Sequence, residues 1–347
     1  MANTEIGMTD GSGSGYNHIL LAHGGGGKLT FELIQGVVEK LGNPWLAPLR
    51  DSAVIKFEGT DISLAFTTDS YVVKPIFFPG GDIGRLSVSG TINDLVSVGA
   101  TPKFISLSLI IEEGFPLNAL ERIIESIKAV ANETGIAVVT GDIKVVERGK
   151  ADEIFINTSG IGIFHFPFSP SVMIGDKVIV TGYIGDHGIA VLLARENLGI
   201  EVNVKSDVAP LNWVLELLEK NGLEFHCLKD PTRGGLGGAL VEIAQSFGIG
   251  IVIEEAHIPV RKEVKAVCEI LGLDILNVAN EGKLIIITPD YVAEEVLARI
   301  KEHPAGKDAA LIGEVVKEPE GKVLINTVIG SKRIVDMPYG EELPRIC

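Results

Sequence analysis

The chain has 347 residues, of which 46% are hydrophobic and 22% charged, so it holds enough apolar material for about two folded domains and too much for a disordered chain. Its formal net charge of −16 excludes a nucleic-acid or anionic-membrane surface, because both need clustered Lys and Arg. No apolar run reaches the roughly 18 residues that cross a bilayer, and three cysteines with no close pair and no secretory signal fit a reducing cytoplasm rather than a disulfide framework.

Residues 1 to 17 contain Gly11-Ser12-Gly13-Ser14-Gly15 and read as a flexible leader, within a glycine-rich lead of residues 1–48. Ile62, Leu64 and Phe66 alternate with smaller or polar residues, as a half-buried strand does. Asn118 to Ala131 places Leu120, Ile123, Ile124 and Ile127 at helical spacing, and Ile136 to Val139 is an apolar run suited to a strand buried on both faces. A boundary near residue 166 falls at Phe166-Pro167-Phe168-Ser169-Pro170, separating a domain at 49–166 from one at 167–330. In the second, Lys177 to Thr181 reads as a strand, Gly188 to Glu196 and Leu211 to Lys220 as helices, and Leu284 to Thr288 as a late strand. Val264, Val267, Cys268 and Leu271 make an apolar helical face on which Cys268 is a small buried hydrophobe. Residues 331–347 show neither periodicity and read as a mobile tail ending in Cys347, whose thiol could be carried some 50 Å at about 3.3 Å per extended residue.

Gly24-Gly25-Gly26-Gly27-Lys28-Leu29 imitates a phosphate-binding P-loop, but Ala22 and Leu29 stand where that pattern needs Gly and Ser or Thr. More informative are aspartates where hydrophobic segments end: Asp69 after Phe66-Thr67-Thr68, Asp142 after Thr140-Gly141, and Asp51 before Ala53-Val54-Ile55. Ile92, Leu95, Val96 and Gly99 form a helical stripe that leaves Asn93 and Asp94 off the buried face and free to meet a ligand. Singly, each aspartate is better explained as a cap or a solvated charge; together, hard oxygen donors without His or Cys suit Mg²⁺ bridging carboxylates to nucleotide phosphates. Asp230-Pro231-Thr232-Arg233-Gly234-Gly235 reads as an N-cap, a Pro at the first helical position and a glycine-lined helix start, where Arg233 could clamp a phosphate; a tight packing turn explains it equally well.

These pieces in this order resemble the HypE family of hydrogenase maturation factors, in the superfamily of aminoimidazole ribonucleotide synthetase, selenophosphate synthetase and thiamine-monophosphate kinase. The resemblance runs from His23 through Phe77-Phe78-Pro79-Gly80-Gly81-Asp82, Gly90-Thr91-x-Asn93-Asp94, Thr140-Gly141-Asp142-x-Lys144, Asp230-Pro231-Thr232-Arg233-Gly234-Gly235 and Ala279-Asn280-Glu281-Gly282-Lys283. The closing Pro344-Arg345-Ile346-Cys347 separates this family from the kinases and synthetases.

The resemblance implies an α+β, two-domain chain forming a homodimer whose N-terminal domains pair their sheets into a β-barrel backed by helices, followed by a C-terminal α/β domain and a mobile tail. It implies ATP and Mg²⁺ as cofactors. Asp51, Asp69, Asp94 and Asp142 would hold metal and phosphates, with Asn93, Gly26, Gly27 and Arg233 also at the nucleotide. It further implies that a carbamoyltransferase, HypF, loads a carbamoyl group onto Cys347. ATP-dependent dehydration would then leave a thiocyanate, with Glu281 as base and Lys144 polarising the group. The cyano group would pass to iron on the HypC–HypD scaffold complex of nickel-iron hydrogenase assembly. Two other readings stay open on the residues alone. One is a kinase or synthetase of the same superfamily acting on a free small molecule; the other is a nucleotide-sensing protein whose tail cysteine only docks a partner.

Overall fold

A computed structural model describes residues 18–43, 50–57, 59–60, 63–165, 170–196, 198–340, 343 and 345–347. The Gly/Ser leader, Ile62, the expected junction at 166–169, and Glu341, Glu342 and Pro344 of the tail lie outside the described residues.

The expected glycine-rich lead holds a helix, α1 (Lys28–Leu41), which Gly27 starts and Gly42 ends in the left-handed conformation, its N–H returning to the Val38 carbonyl. The first half then folds as β1 (Ala53–Lys56), β2 (Ser63–Tyr71), the short β3 (Phe77–Phe78) and β4 (Gly81–Asp82), α2 (Ile83–Ser97), β5 (Thr101–Glu112), α3 (Leu117–Thr134), β6 (Ala137–Val146) and β7 (Ile154–Ile163). Five of these strands make one sheet in the order β1-β2-β7-β5-β6, with only β5 and β6 parallel. The helical spacing read at Asn118–Ala131 is α3, which buries Ile123, Ile127 and Val130. At its start α2 is capped by Asp82, whose carboxylate accepts from the amides of Gly84 and Arg85 at 2.8 and 3.0 Å.

The second half is β8 (Lys177–Val180), α4 (Asp186–Arg195), α5 (Asn212–Lys220), β9 (Cys227–Lys229), α6 (Gly235–Phe247), β10 (Gly250–Glu254), α7 (Lys262–Leu271), β11 (Ile285–Thr288), α8 (Asp290–Glu302), β12 (Ala310–Val316), β13 (Val323–Asn326) and β14 (Lys332–Val335). Its seven strands run β14-β13-β10-β12-β8-β11-β9. One apolar core joins the two halves: Ile83, Leu86 and Ile92 of α2 share a cluster with Val214 and Leu218 of α5 and with Leu284. Burial of this kind contributes about 1.5–3 kcal/mol per large apolar side chain.

Three sequence expectations are corrected here. The stripe on α2 does not leave a free opposite face, because the helix is buried nearly all round, Asn93 included. The run Ile136–Val139 leads into β6, which is not buried on both faces: among the described residues it pairs only with β5, and Val139, Ile143 and Val145 are 58%, 59% and 67% exposed. Within the tail, Lys332–Val335 is a strand after all, held antiparallel to β13 by its backbone while only Val335 is buried.

Candidate active site

Three carboxylates from three elements converge. Asp51 precedes β1, Asp94 rides on α2 and Asp230 follows β9; an oxygen from each lies within 4.8 Å of the others. Thr67 on β2 steadies two of them, with its hydroxyl 2.8 Å from Asp94 Oδ2 and 2.9 Å from the Asp51 carbonyl. Ser52 donates to the Asp94 carbonyl and Ser97 to Asp230 Oδ1. Burial, with Asp230, Asp51 and Asp69 nearby, pushes the Asp94 carboxyl well above the usual range; burial and Asp51 push Asp230 up to about 7. Lys229 answers part of this charge, its Nζ 2.6 Å from Asp51 Oδ1 and 3.2 Å from Glu242. Crowded oxygen donors whose ionised forms are held at a cost fit a hard divalent cation, which would relieve the repulsion.

The cluster opens into a cavity of about 390 Å³ that is also lined by Gly26, Gly27, Asp69, Arg233, Glu281 and Cys347. Gly26 adopts φ +77°, and a Cβ there would stand 2.5 Å from Arg233 Cβ, so the glycine lets the two loops touch. Negative charge at Cys347 holds Arg233 more firmly protonated, as do Asp69 and Glu281.

Glu281 is the distinctive group. It is 3% exposed, and among the described residues its Oε1 has no hydrogen-bond partner. Burial first, then Asp230, Asp69 and Asp207, push its pKa well above the carboxylate range. A buried carboxyl with an unspent oxygen, on a residue that lines the cavity, is suited to proton transfer. Its backbone is fixed from below: the Glu281 amide donates to Asp207 Oδ1 at 3.1 Å, and Lys283 Nζ lies 2.9 Å from Asp207 Oδ2. At Gly282 a Cβ would sit 1.8 Å from the Asp207 carbonyl oxygen, so only glycine lets the two segments meet.

The last residues are seated in this structure. The Val72 amide donates to the Cys347 carbonyl at 3.1 Å, and the Arg345 Nε to the Val72 carbonyl at 3.0 Å. Ile346 is buried in the core shared by the two halves. The segment read as a tail thus delivers Cys347 to the wall of the acidic cavity.

Two family models match the chain in succession, the N-terminal domain of AIR synthase related proteins over residues 49–164 and their C-terminal domain over 174–326. A carbamoyl dehydratase HypE of Rhizobium leguminosarum bv. viciae is 48% identical over 332 residues, covering 94% of each chain. A crystal structure of a HypE–HypF complex superposes with a TM-score of 0.83 at 44% identity, covering 88% of this chain and 99% of that one. The hydrogenase maturation protein HypE in complex with ATP gives 0.79 at 43% identity, covering 95% and 100%. The chain belongs to the HypE family. It therefore has the mixed α+β, two-domain fold of the AIR synthase related proteins.

Within this HypE-family chain, Asp51, Asp69, Asp94, Gly26, Gly27, Arg233, Glu281 and Cys347 share one cavity. Asn93 does not face it: its side chain is spent on backbone, donating to the Ala209 and Glu281 carbonyls and accepting from the Leu211 amide. Asp142 and Lys144 are not in it either; they pair with each other at 2.6 Å on the exposed β6, which keeps the Asp142 carboxyl below the usual range. Of the four aspartates expected to hold metal, Asp51 and Asp94 are in the acidic cluster, Asp69 only lines the cavity and Asp142 is elsewhere; Asp230 is the third member. It is not the cap of α6, because Gly234 and Gly235, at φ +82° and +62°, turn the chain first. Asp207 carried no sequence signal, since its role rests on contact with a segment more than seventy residues away.

Proposed function

We propose that this chain is an ATP-dependent dehydratase that converts a carbamoyl group carried on the sulfur of Cys347 into a thiocyanate, the source of the cyanide ligand on the iron of nickel-iron hydrogenase. The carrying observation is the seating of Cys347 in the cavity that is also lined by the aspartate cluster and by Glu281, whose Oε1 has no hydrogen-bond partner among the described residues. Membership in a family that includes named carbamoyl dehydratases, a HypF complex and an ATP complex supports the same reading.

The chemistry requires that the oxygen of the thiocarboxamide become a leaving group. Attack of that oxygen on the γ-phosphate of ATP forms the O–P bond, breaks the bond to ADP and leaves an O-phosphorylated carbamoyl carbon. Both nitrogen-bound protons leave: Glu281 takes one as the C–O bond breaks, and the other departs with the phosphate as hydrogen phosphate. R–S–CO–NH₂ and ATP give R–S–C≡N, ADP, orthophosphate and a proton. Asp51, Asp94 and Asp230 would hold Mg²⁺, which when bound neutralises phosphate charge. Arg233 stands where its guanidinium can offset charge beside Cys347, and Asp69 completes the acidic wall.

Lys144 and Asp142 fit this scheme only if a second copy brings them. We place the protein as a homodimer in which the uncovered sheet faces close a barrel, an arrangement favoured by the apolar exposure of Phe66, Phe104, Val139 and Ile143. HypF as the carbamoyl donor's carrier and a HypC–HypD complex as the acceptor complete the proposal. A cytoplasmic site fits three cysteines outside any disulfide, and no helix among the described residues is long and apolar enough to cross a membrane.

The test is the intact mass of the protein after incubation with HypF, carbamoyl phosphate and Mg-ATP, with the modified residue mapped by fragmentation. A carbamoyl adduct on Cys347 that loses one water only with hydrolysable ATP is expected. ATP consumption while the adduct stays hydrated would move the small-molecule kinase reading ahead.

A further inference from the structure

One face of α4 meets the end of the chain. His187, Val191 and Arg195 recur at helical spacing and point the same way. His187 Nε2 lies 2.8 Å from the Ile346 carbonyl oxygen, and Arg195 donates through Nη2 to the Arg345 carbonyl at 2.6 Å. Val191 belongs to the buried cluster that takes in Ile346, and a Cβ at Gly188 would stand 3.2 Å from the Leu343 side chain.

The hydrogen bonds at His187 select one tautomer. A carbonyl oxygen only accepts, so Nε2 must carry the proton. Nδ1 is then the acceptor and the Ser206 hydroxyl, 2.8 Å away, donates to it, while Ser206 Oγ in turn accepts from the Val208 amide at 3.0 Å. The ring is fully buried, with Phe78 edge-on to it at 5.5 Å between centroids, and burial holds the imidazole neutral. The residue after Ser206 is Asp207, which holds the Glu281 amide. A single short loop therefore braces both the imidazole under the tail and the base across the cavity.

We propose that His187 is a positioning residue for the reaction: by donating from Nε2 to the Ile346 carbonyl, on a helix that acts as receptor for the chain's own last residues, it aims the Cys347 thiol into the cavity opposite Glu281. Its catalytic meaning rests on the dehydratase reading, but the docking is readable without turnover.

The experiment uses the full chain and a bulky polyethylene-glycol maleimide, with no ATP and no carbamoyl donor. Cys227 and Cys268 are buried, so labelling of the folded protein reports the emergence of Cys347. His187→Gln keeps a donor at the Nε2 position, whereas His187→Asn keeps a group only at the Nδ1 position, facing Ser206. Loss of one buried hydrogen bond predicts about tenfold faster labelling in His187→Asn and a near wild-type rate in His187→Gln. Equal rates in the two variants, or a wild-type rate in His187→Asn, would overturn the proposal. Should His187→Asn not melt cooperatively, Arg195→Met reads the same helix from its other end. It removes the donor to Arg345 and should also speed labelling; an unchanged rate there overturns the receptor role of α4. Because no chemistry is involved, these results stand apart from any failure of dehydration.

Discussion

Replacing Asp230 with Asn should make the metal-free protein more stable and the enzyme inactive. Burial and the neighbouring Asp51 raise the Asp230 pKa from 3.8 up to about 7. The folded state therefore binds this proton more tightly than the unfolded chain does. The stability it contributes is fully present below pH 3.8 and is lost as pH rises through about 7. At about 1.4 kcal/mol per pKa unit, the loss reaches roughly 4 kcal/mol by pH 8. Asn is nearly the same size, can still accept from Ser97, and never ionises. In EDTA, thermal unfolding of Asp230→Asn should match wild type near pH 4 and exceed it at pH 8 by about 8–16 °C, taking about 2–4 °C per kcal/mol for a domain of this size. Added Mg²⁺ with a non-hydrolysable ATP analogue should stabilise wild type and leave the variant unmoved. A variant no more stable than wild type at pH 8 in EDTA would refute the reasoning, because Lys229 would then already neutralise the cluster.

Glu281→Gln removes the proposed base while keeping its shape, so turnover of carbamoylated protein should fall about 10²–10⁴-fold with ATP affinity unchanged; single-turnover thiocyanate formation measured beside nucleotide titration separates the two. The variant should melt no lower than wild type at pH 8, since it deletes a buried carboxylate whose ionised form is disfavoured. Gly282→Ala forces a Cβ into the 1.8 Å approach to the Asp207 carbonyl, so the two segments must part. We expect a loss of several kcal/mol in denaturant unfolding, and wild-type stability would show that this contact is dispensable.

The features legible in the sequence are those whose burial is one-sided. α3 writes its buried face as Ile123 and Ile127 at helical spacing; β2 alternates as read, but its buried side is Ala65 and Thr67, while Phe66, placed on the apolar face, is 41% exposed. Of the aspartates read at the ends of apolar segments, Asp51 and Asp69 line the crevice, as does Asp94 from α2, whereas Asp142 stands exposed on β6. Asp230 was hidden by its neighbours, since an Asp before Pro imitates a helix start and only the backbone turn at Gly234 and Gly235 shows otherwise. Asn93 misled because α2 is enclosed by both halves of the chain, and no periodicity distinguishes a helix buried all round from one with a polar face. β14 was silent because an edge strand with three exposed residues has no alternation to show.

The remaining disagreement, at β6, points outward from the single chain. Its apolar run demands burial, yet the strand is an unpaired sheet edge whose Val139, Ile143 and Val145 face solvent. Long apolar edges invite pairing with another chain. The same strand carries Asp142 and Lys144, the two expected site residues that one chain does not bring to the cavity. A second copy would satisfy both demands at once, covering the strand and presenting the lysine to a neighbouring site. Val139→Asp combined with Ile143→Asp should therefore yield a monomer by sedimentation and lose ATP turnover, although Asp51, Asp94, Asp230 and Glu281 are untouched. A monomeric variant with full turnover would leave Lys144 without a role, and a variant that remains dimeric would place the subunit contact elsewhere.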